Sequence, residues 1–400
     1  MILYNHQQDF LKQNPNKSAL VWSCGTGKTK TALLWSRKNM DDTLIICPKS
    51  LKANWWREID RVYEKEKYLP IKVVTKEEFR RDFKTYYKFQ NVIVDEVHNG
   101  FLTPHFKSQM SKALRLYLVN HKVPRVLLLS ATVFTSSPWN IFNLAFLLGH
   151  KWDWFKFNQT FFNQVRMGRR MIPVAKKGVE PKLAELTKKI ASVVSLEECI
   201  DVPAQTFENE YFELTKEQEK KIKESYDPLP IVRFTHYDEI SNGILKGNEF
   251  TKDIMDIPSL KNERILSLCE ENDKIIIVCR YNLQIDALKS LLKVYNPLVI
   301  RGDVKDRDSV IQEANKADKA VVLIQSACSM GYELPTFRVM VFASMDFSYS
   351  HYKQMIGRIL RINAPQKNLY IHLLTGDTGK AIMDAIGNKK DFDIELFYKQ

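Results

Sequence analysis

The sequence predicts an α/β protein made of two tandem parallel-sheet domains, and three observations carry that prediction. Its 400 residues exceed the size at which one hydrophobic core usually suffices, so two domains of roughly 200 residues each are expected. Short apolar runs alternate with helical-looking stretches in both halves, as strands do when both faces of a parallel sheet are covered by helices. Finally, Ala19-Leu20-Val21-Trp22 empties into Ser23-Cys24-Gly25-Thr26-Gly27-Lys28-Thr29 and then into a helical stretch from Lys30 to Lys38. Strand, glycine loop and helix in that order make a phosphate cradle.

Composition narrows the class. With 44 % hydrophobic residues there is ample core, yet no run approaches the ~18 apolar residues of a membrane span. The opening Met1-Ile2-Leu3-Tyr4-Asn5-His6 does not read as a signal peptide, so a soluble cytoplasmic protein with no membrane partner is expected. The six cysteines (24, 47, 199, 269, 279, 328) are scattered without a C-x-x-C pair, which argues against structural zinc and disulfides. The net charge of +13 is a field that attracts polyanions, nucleic acid first and acidic membrane second. A lysine-rich solvated surface explains the charge equally well. No low-complexity tract or short-period repeat is visible.

In the first half, Gly25 and Gly27 let the backbone turn tightly and aim its N–H groups at an anion. Lys28 is placed to reach the β- and γ-phosphates of ATP, and the Thr29 hydroxyl to hold Mg²⁺. The usual first glycine of such a loop falls at Trp22. Upstream, Gln7 offers an amide with the donor and acceptor that an adenine edge requires; a polar helix face accounts for it as readily. The strand Leu44-Ile45-Ile46-Cys47 is followed by Lys49 and Ser50, and Ile71-Lys72-Val73-Val74 by Thr75, at the strand ends where open α/β sheets bind ligands. Helix caps explain Ser50 and Thr75 just as well. The third strand, Asn91-Val92-Ile93-Val94, runs into Asp95-Glu96-Val97-His98. There Asp95 is placed to hold Mg²⁺ through its water shell and Glu96 to take a proton from the water attacking the γ-phosphate. The fourth, Val126-Leu127-Leu128-Leu129, ends at Ser130-Ala131-Thr132, whose two hydroxyls face the acid cluster and are placed to sense the γ-phosphate.

The second half is less marked at first. Between about 150 and 255, aromatics such as Trp152, Trp154, Phe155, Phe157, Phe161 and Phe162 alternate with Arg166, Arg169, Arg170, Lys176 and Lys177. The mixture suits base stacking, but aromatics at helical spacing more often pack against their own domain. Thr206 to Leu214 is expected to start the second domain, with Thr215 to Gln218 capping its first helix. The strand rhythm resumes at Ile275–Val278, Pro297–Ile300, Ala320–Ile324 and Val339–Phe342. In Gln354-Met355-Ile356-Gly357-Arg358-Ile359-Leu360-Arg361, spacings of four and three put Gln354, Arg358 and Arg361 on one face of a predicted helix.

These residues resemble the motifs of the superfamily 2 helicases and translocases (DEAD/DEAH-box-like), nearest to the Swi/Snf-like branch. Residues 23–29 are similar to the family's first motif, Asp95-Glu96-Val97-His98 to its second and Ser130-Ala131-Thr132 to its third. Leu44 to Ile59 is similar to motif Ia. Cys279-Arg280-Tyr281, Arg301-Gly302-Asp303 and Gln325-Ser326 resemble motifs IV, IVa and V, and Gly331-Tyr332-Glu333-Leu334 the end of motif V. Gln354 to Arg361 resembles motif VI, whose arginines reach the γ-phosphate.

The resemblance implies two RecA-like (P-loop NTPase) domains, 1–200 and 201–400, with a cleft between them and a mostly helical insertion or linker near 150–200. It implies hydrolysis of ATP with Mg²⁺, catalysed through Lys28, Asp95, Glu96, Arg358 and Arg361. Nucleotide contacts are implied at Gln7, Gly25, Thr26, Gly27, Lys28, Thr29, His98, Gly331, Glu333 and Gln354, with metal contacts at Thr29 and Asp95. Nucleic-acid contacts are implied at Lys49, Ser50, Thr75, Arg280, Tyr281, Arg301 and Ser326, and coupling at Ser130 and Thr132. The expected function is a monomeric motor on DNA, duplex or branched, that remodels forks or displaces bound proteins, with room for a protein partner that supplies specificity. Alternatives are a strand-separating RNA or DNA helicase and a non-catalytic nucleic-acid binder. With no chromatin-reading, nuclease or zinc module recognisable, a bacterial or bacteriophage setting is expected.

Overall fold

The computed structural model describes residues 3–388 except 24, 39–40, 64–69, 104–107, 132–137, 168–169, 196–204, 248–250, 305, 330 and 361–366. Its contacts divide the chain into two compact units, Met1–Ile200 and Asp201–Gln400. Each is organised on a sheet of six parallel strands, so the α/β class and the tandem RecA-like organisation expected from sequence are what is observed.

In the first unit the order is α1 (Asn5–Gln13), β1 (Lys17–Trp22), α2 (Lys28–Arg37), β2 (Thr43–Cys47), α3 (Lys52–Tyr63), β3 (Ile71–Thr75), α4 (Lys76–Asp82), β4 (Asn91–Val94), α5 (Gln109–Asn120) and β5 (Arg125–Ser130). It continues through α6 (Trp139–Leu147), α7 (Trp154–Phe161), β6 (Phe162–Met167), β7 (Arg170–Ala175), α8 (Glu180–Ile190) and β8 (Ser192–Val194). The strand order is β3-β2-β4-β5-β1-β8. The strands read as unbroken apolar runs because successive residues enter opposite cores. Val21, Leu44, Ile46, Val92, Val94 and Leu128 pack into one, and Leu20, Trp22, Ile45, Cys47, Ile93 and Leu129 into the other. Fully burying each such side chain contributes roughly 1.5–3 kcal/mol. Parallel pairing requires crossovers, so every strand presents its carboxyl end on the same edge.

The second unit contains β9 (Gln205–Phe212), α9 (Lys216–Glu224), α10 (Pro230–Ser241), α11 (Leu260–Glu271), β10 (Lys274–Cys279), α12 (Asn282–Leu291), β11 (Leu298–Ile300), α13 (Arg307–Lys316), β12 (Ala320–Gln325), β13 (Val339–Phe342), α14 (Tyr349–Ile356), β14 (Asn368–Thr375) and α15 (Gly376–Gly387). Its sheet runs β11-β12-β10-β13-β14-β9. Here too Ile276, Val278 and Met340 enter one core while Ile275, Ile277 and Val341 enter the other. Thr215 caps α9 as expected, exchanging side-chain and backbone hydrogen bonds with Gln218.

Two local expectations are revised. The stretch near 150–200 is not purely helical. Residues Phe162–Met167 and Arg170–Ala175 pair as an antiparallel hairpin, and β8 adds in parallel to the edge of the main sheet. β-branched Val165, Ile172 and Val174 favour the strand conformation. The aromatics preceding the hairpin mostly pack inward: Phe157, Phe161 and Phe162 are buried, and Trp139 stacks on Phe162 with ring centroids 4.8 Å apart. The second revision concerns α14, which ends at Ile356 with Gly357 as its cap. Arg358 therefore lies in the turn beyond the helix, and Arg361 falls outside the described residues. Glycine's low helix propensity fits a stop at that position.

Candidate functional site

The glycine loop leaves β1 and enters α2 with Gly25 and Gly27 at φ 83° and 82°, the left-handed region that favours glycine. Gly27 also has no room for a side chain, since a Cβ there would collide with Gln7 Nε2. Lys28 folds back over the loop, its Nζ donating to the carbonyls of Trp22 (2.7 Å) and Ser23 (3.0 Å). Thr26 is buried and its hydroxyl donates to the Ser23 carbonyl at 2.7 Å. Thr29 is half-buried in the first turn of α2.

Trp22, which replaces the usual first glycine, is fully buried, donates from Nε1 to Ser192 Oγ at 2.9 Å and meets the edge of His6. It locks β1 to β8 and thereby steadies the base of the loop.

Gln7 does not stand open to a base. Its amide nitrogen donates to the Gly27 carbonyl (3.2 Å) and Thr31 Oγ1 (2.9 Å), its oxygen accepts from the Tyr4 N–H, and the residue is 1 % exposed. An amide so engaged positions the glycine loop.

Asp95 and Glu96 follow β4, on the same sheet edge as the loop and separated from β1 by β5 alone. Asp95 is buried; Trp55 Nε1 donates to its Oδ2 and the Glu96 N–H to its Oδ1, each at 2.9 Å. Burial and the neighbouring Glu96 charge raise its pKa to about 6, against the lowering effect of the Trp55 hydrogen bond and of Lys28. Glu96 sits at φ 47°, a strained conformation for a side chain with Cβ. Its Oε2 is buried and accepts no hydrogen bond, although His98 Nδ1 lies 3.3 Å away. His98 Nδ1 also lies 2.8 Å from Ser130 Oγ, so the acid turn and the end of β5 are in contact. Thr132 lies outside the described residues.

The proposed polynucleotide contacts also gather at carboxyl edges. In the first unit Lys49 and Ser50 are exposed in the turn after β2, and Thr75 ends the adjacent β3, paired with Cys47. Thr75 is buried and caps α4 through the Glu78 N–H, which makes it a structural residue whatever else it contacts. In the second unit Arg280 and Tyr281 follow β10, Arg301 follows β11 and Ser326 follows β12, three adjacent strands. These side chains are restrained by carboxylates. Asp238 Oδ2 accepts from Arg280 NH1 (3.0 Å) and Tyr281 Oη (2.6 Å), Arg301 pairs with Asp286 and Asp303, and Ser326 donates to Asp346.

Arg358 is likewise engaged within its own unit. Its Nε donates to the Gln354 carbonyl (3.0 Å) and its NH1 to the Tyr332 carbonyl (2.6 Å). Gln354 is buried, with Oε1 accepting from Ser329 Oγ and Nε2 lacking a partner. Gly331 turns at φ 93°, and the exposed Glu333 offers its carbonyl to Asn315.

Trp55 stands at a strand end where ligands are expected, but its bond to Asp95 was not foreseen, and two residues escaped the sequence reading as parts of the site: Asp238 behind Arg280, and Lys76. The Lys76 ammonium donates to the carbonyls of Glu96 and Asn99, both at 2.9 Å, and burial lowers its pKa to about 8. No short-range signal marks them, because each acts across 20 or more residues of sequence. Among the described residues no cluster of three or more His, Cys, Asp or Glu is placed to hold a metal ion, and no helix is long and apolar enough to cross a membrane.

No characterised protein sequence matches the chain. Among solved structures, S. cerevisiae Dbp5 bound to RNA and ADP BeF3 is similar in fold, with a TM-score of 0.59 and 13 % identity, over 97 % of this chain and 87 % of that one. Residues 260–363 match the family model described as the helicase conserved C-terminal domain. That match lies within the second unit, the structural likeness is one of fold, and neither distinguishes the Swi/Snf-like branch.

Proposed function

We propose that this protein is an ATP-dependent nucleic-acid motor that couples hydrolysis to movement along DNA, remodelling forked or branched DNA or displacing bound proteins. One observation carries the reading. A glycine loop with two left-handed glycines and a strained acidic residue, one carboxylate oxygen without a hydrogen-bond donor, stand on one edge of one sheet. The C-terminal helicase match supplies the family context.

The residues fit a magnesium nucleotide. The loop amides from Gly25 to Thr29 would cradle phosphates at the start of α2. Lys28 would exchange two backbone carbonyls for phosphate oxygens, turning neutral acceptors into charged ones. Thr29 and Asp95 would hold Mg²⁺, a cation that commonly takes one or two protein oxygens alongside phosphates and water. When bound, the ion neutralises phosphate charge. Glu96 would accept the proton of the attacking water, a role suited to an Oε2 that accepts no hydrogen bond. Arg358 and Arg361 would stabilise charge at the γ-phosphate; for Arg358 this means leaving the Tyr332 and Gln354 carbonyls. Ser130, through His98, would report γ-phosphate occupancy. Polynucleotide would be held mainly by phosphates at the strand edges, so affinity falls steeply with salt.

A second reading, strand separation, is favoured by the β6–β7 hairpin, which exposes Val165, Ile172 and Val174 beside Met171. The fold neighbour holds RNA, so RNA belongs among the substrates tested. ATPase rates measured with single-stranded, duplex, forked and four-way DNA and with RNA test the proposal, and a rate indifferent to all of them removes it. Displacement of a labelled strand separates helicase from tracking motor.

A further inference from the structure

We infer that Lys76 is a positioning residue for the turn that carries Glu96, and that through it occupancy of the polynucleotide edge at Thr75 reaches the hydrolytic step. The inference rests on the reading above and adds a regulation within that site. Lys76 opens α4 directly after Thr75, the last residue of β3. Its side chain is buried, lies 5.4 Å from the Phe101 ring and ends on two carbonyls, Glu96 and Asn99.

The turn it grips needs holding. Glu96 is left-handed at φ 47°, which costs roughly 1–2 kcal/mol for a residue with Cβ. Its carbonyl accepts from both the Asn99 N–H and the Lys76 ammonium. On the other side of the residue, Oε2 makes no hydrogen bond and lies 3.3 Å from His98 Nδ1, so the backbone and that one contact together set where the carboxylate stands.

Packing alone gives no reason for a lysine here. A cation in the first turn of a helix opposes the macrodipole, and a buried ammonium carries a desolvation cost that methionine of similar length would avoid. The position is explained by what the ammonium reaches. A shift of the backbone at Thr75 moves the adjacent Lys76, and that lever ends on the Glu96 carbonyl.

The test compares wild type with Lys76→Met and Lys76→Arg. In Lys76→Met, kcat at saturating polynucleotide should fall at least about tenfold, as expected when a catalytic group is misplaced by a fraction of an ångström. KM for ATP should stay within about threefold, and the ratio of stimulated to basal rate should drop towards one. Lys76→Arg, which keeps the charge and donors, should recover part of kcat. Unchanged kcat and stimulation in Lys76→Met, with an active wild type, overturns the inference alone; an inactive wild type overturns the functional proposal instead. Should Lys76→Met fail to fold, amide exchange in wild type decides. Adding a DNA oligonucleotide should slow exchange at residues 96–100, and no change there refutes the coupling.

Discussion

Substituting Gly27 with alanine strains the loop in two separable ways. At φ 82° a side chain with Cβ costs roughly 1–2 kcal/mol. The same Cβ would displace the Gln7 amide, which donates to Gly27 O and Thr31 Oγ1; two such hydrogen bonds contribute about 1 kcal/mol each. Gly27→Ala should therefore destabilise the first unit by roughly 3–4 kcal/mol. For about 200 residues, at some 2–4 °C per kcal/mol, this lowers its melting temperature by roughly 5–15 °C. Calorimetry on wild type, Gly27→Ala, Gln7→Ala and the double variant checks the reasoning. The double variant should be less destabilised than the sum of the singles by about 1–2 kcal/mol, because Gln7 can be lost only once. Strict additivity, or a Gly27→Ala melting temperature within 1 °C of wild type, would refute the assigned collision.

Three further outcomes are expected. Glu96→Gln should keep nucleotide-analogue binding and lose at least about 10² in turnover; preserved turnover would remove Glu96 as the base. Asp238→Ala should cost about 3–5 kcal/mol in urea unfolding, because it strands Arg280 and the Tyr281 hydroxyl around a carboxylate that is 3 % exposed; a loss below about 1 kcal/mol would show that the pair is solvated. Lys261 is buried against Asn242 Oδ1 and the Ala343 carbonyl, and burial lowers its pKa from 10.5 to about 8. Below pH 8 it is protonated in both folded and unfolded chains and adds no slope. Between about pH 8 and 10.5 the unfolded chain binds more protons, so stability relative to Lys261→Met should rise with pH, by up to roughly 3 kcal/mol. Parallel pH profiles for the two proteins would contradict that.

Much of the architecture was legible because its signals are local. A strand buried on both faces needs consecutive apolar residues, a phosphate turn needs glycine at positive φ, and Thr215 with Gln218 is a cap readable in four residues. The strand ends therefore place Asp95, Glu96, Ser130, Arg280, Arg301 and Ser326 at sheet edges from sequence alone. Local pattern does not give the partner of a side chain with more than one use. Gln7 has the chemistry to meet adenine, but its amide is spent on the glycine loop. Arg358 has the spacing to extend a helix face, but α14 stops at Ile356 and the guanidinium turns to two carbonyls. The β6–β7 hairpin was hidden by aromatics whose spacing suggested a helix.

What chain order specifies is which groups stand at the end of which strand, since a parallel sheet lines up the carboxyl ends of strands that are far apart in sequence. What it leaves to packing is the partner each group finds. Trp55 reaches Asp95 from 40 residues away, Asp238 restrains Arg280 from 42, and Lys76 grips the Glu96 turn from 20. Hydrogen bonds act over about 3 Å, and only the folded chain brings those atoms that close.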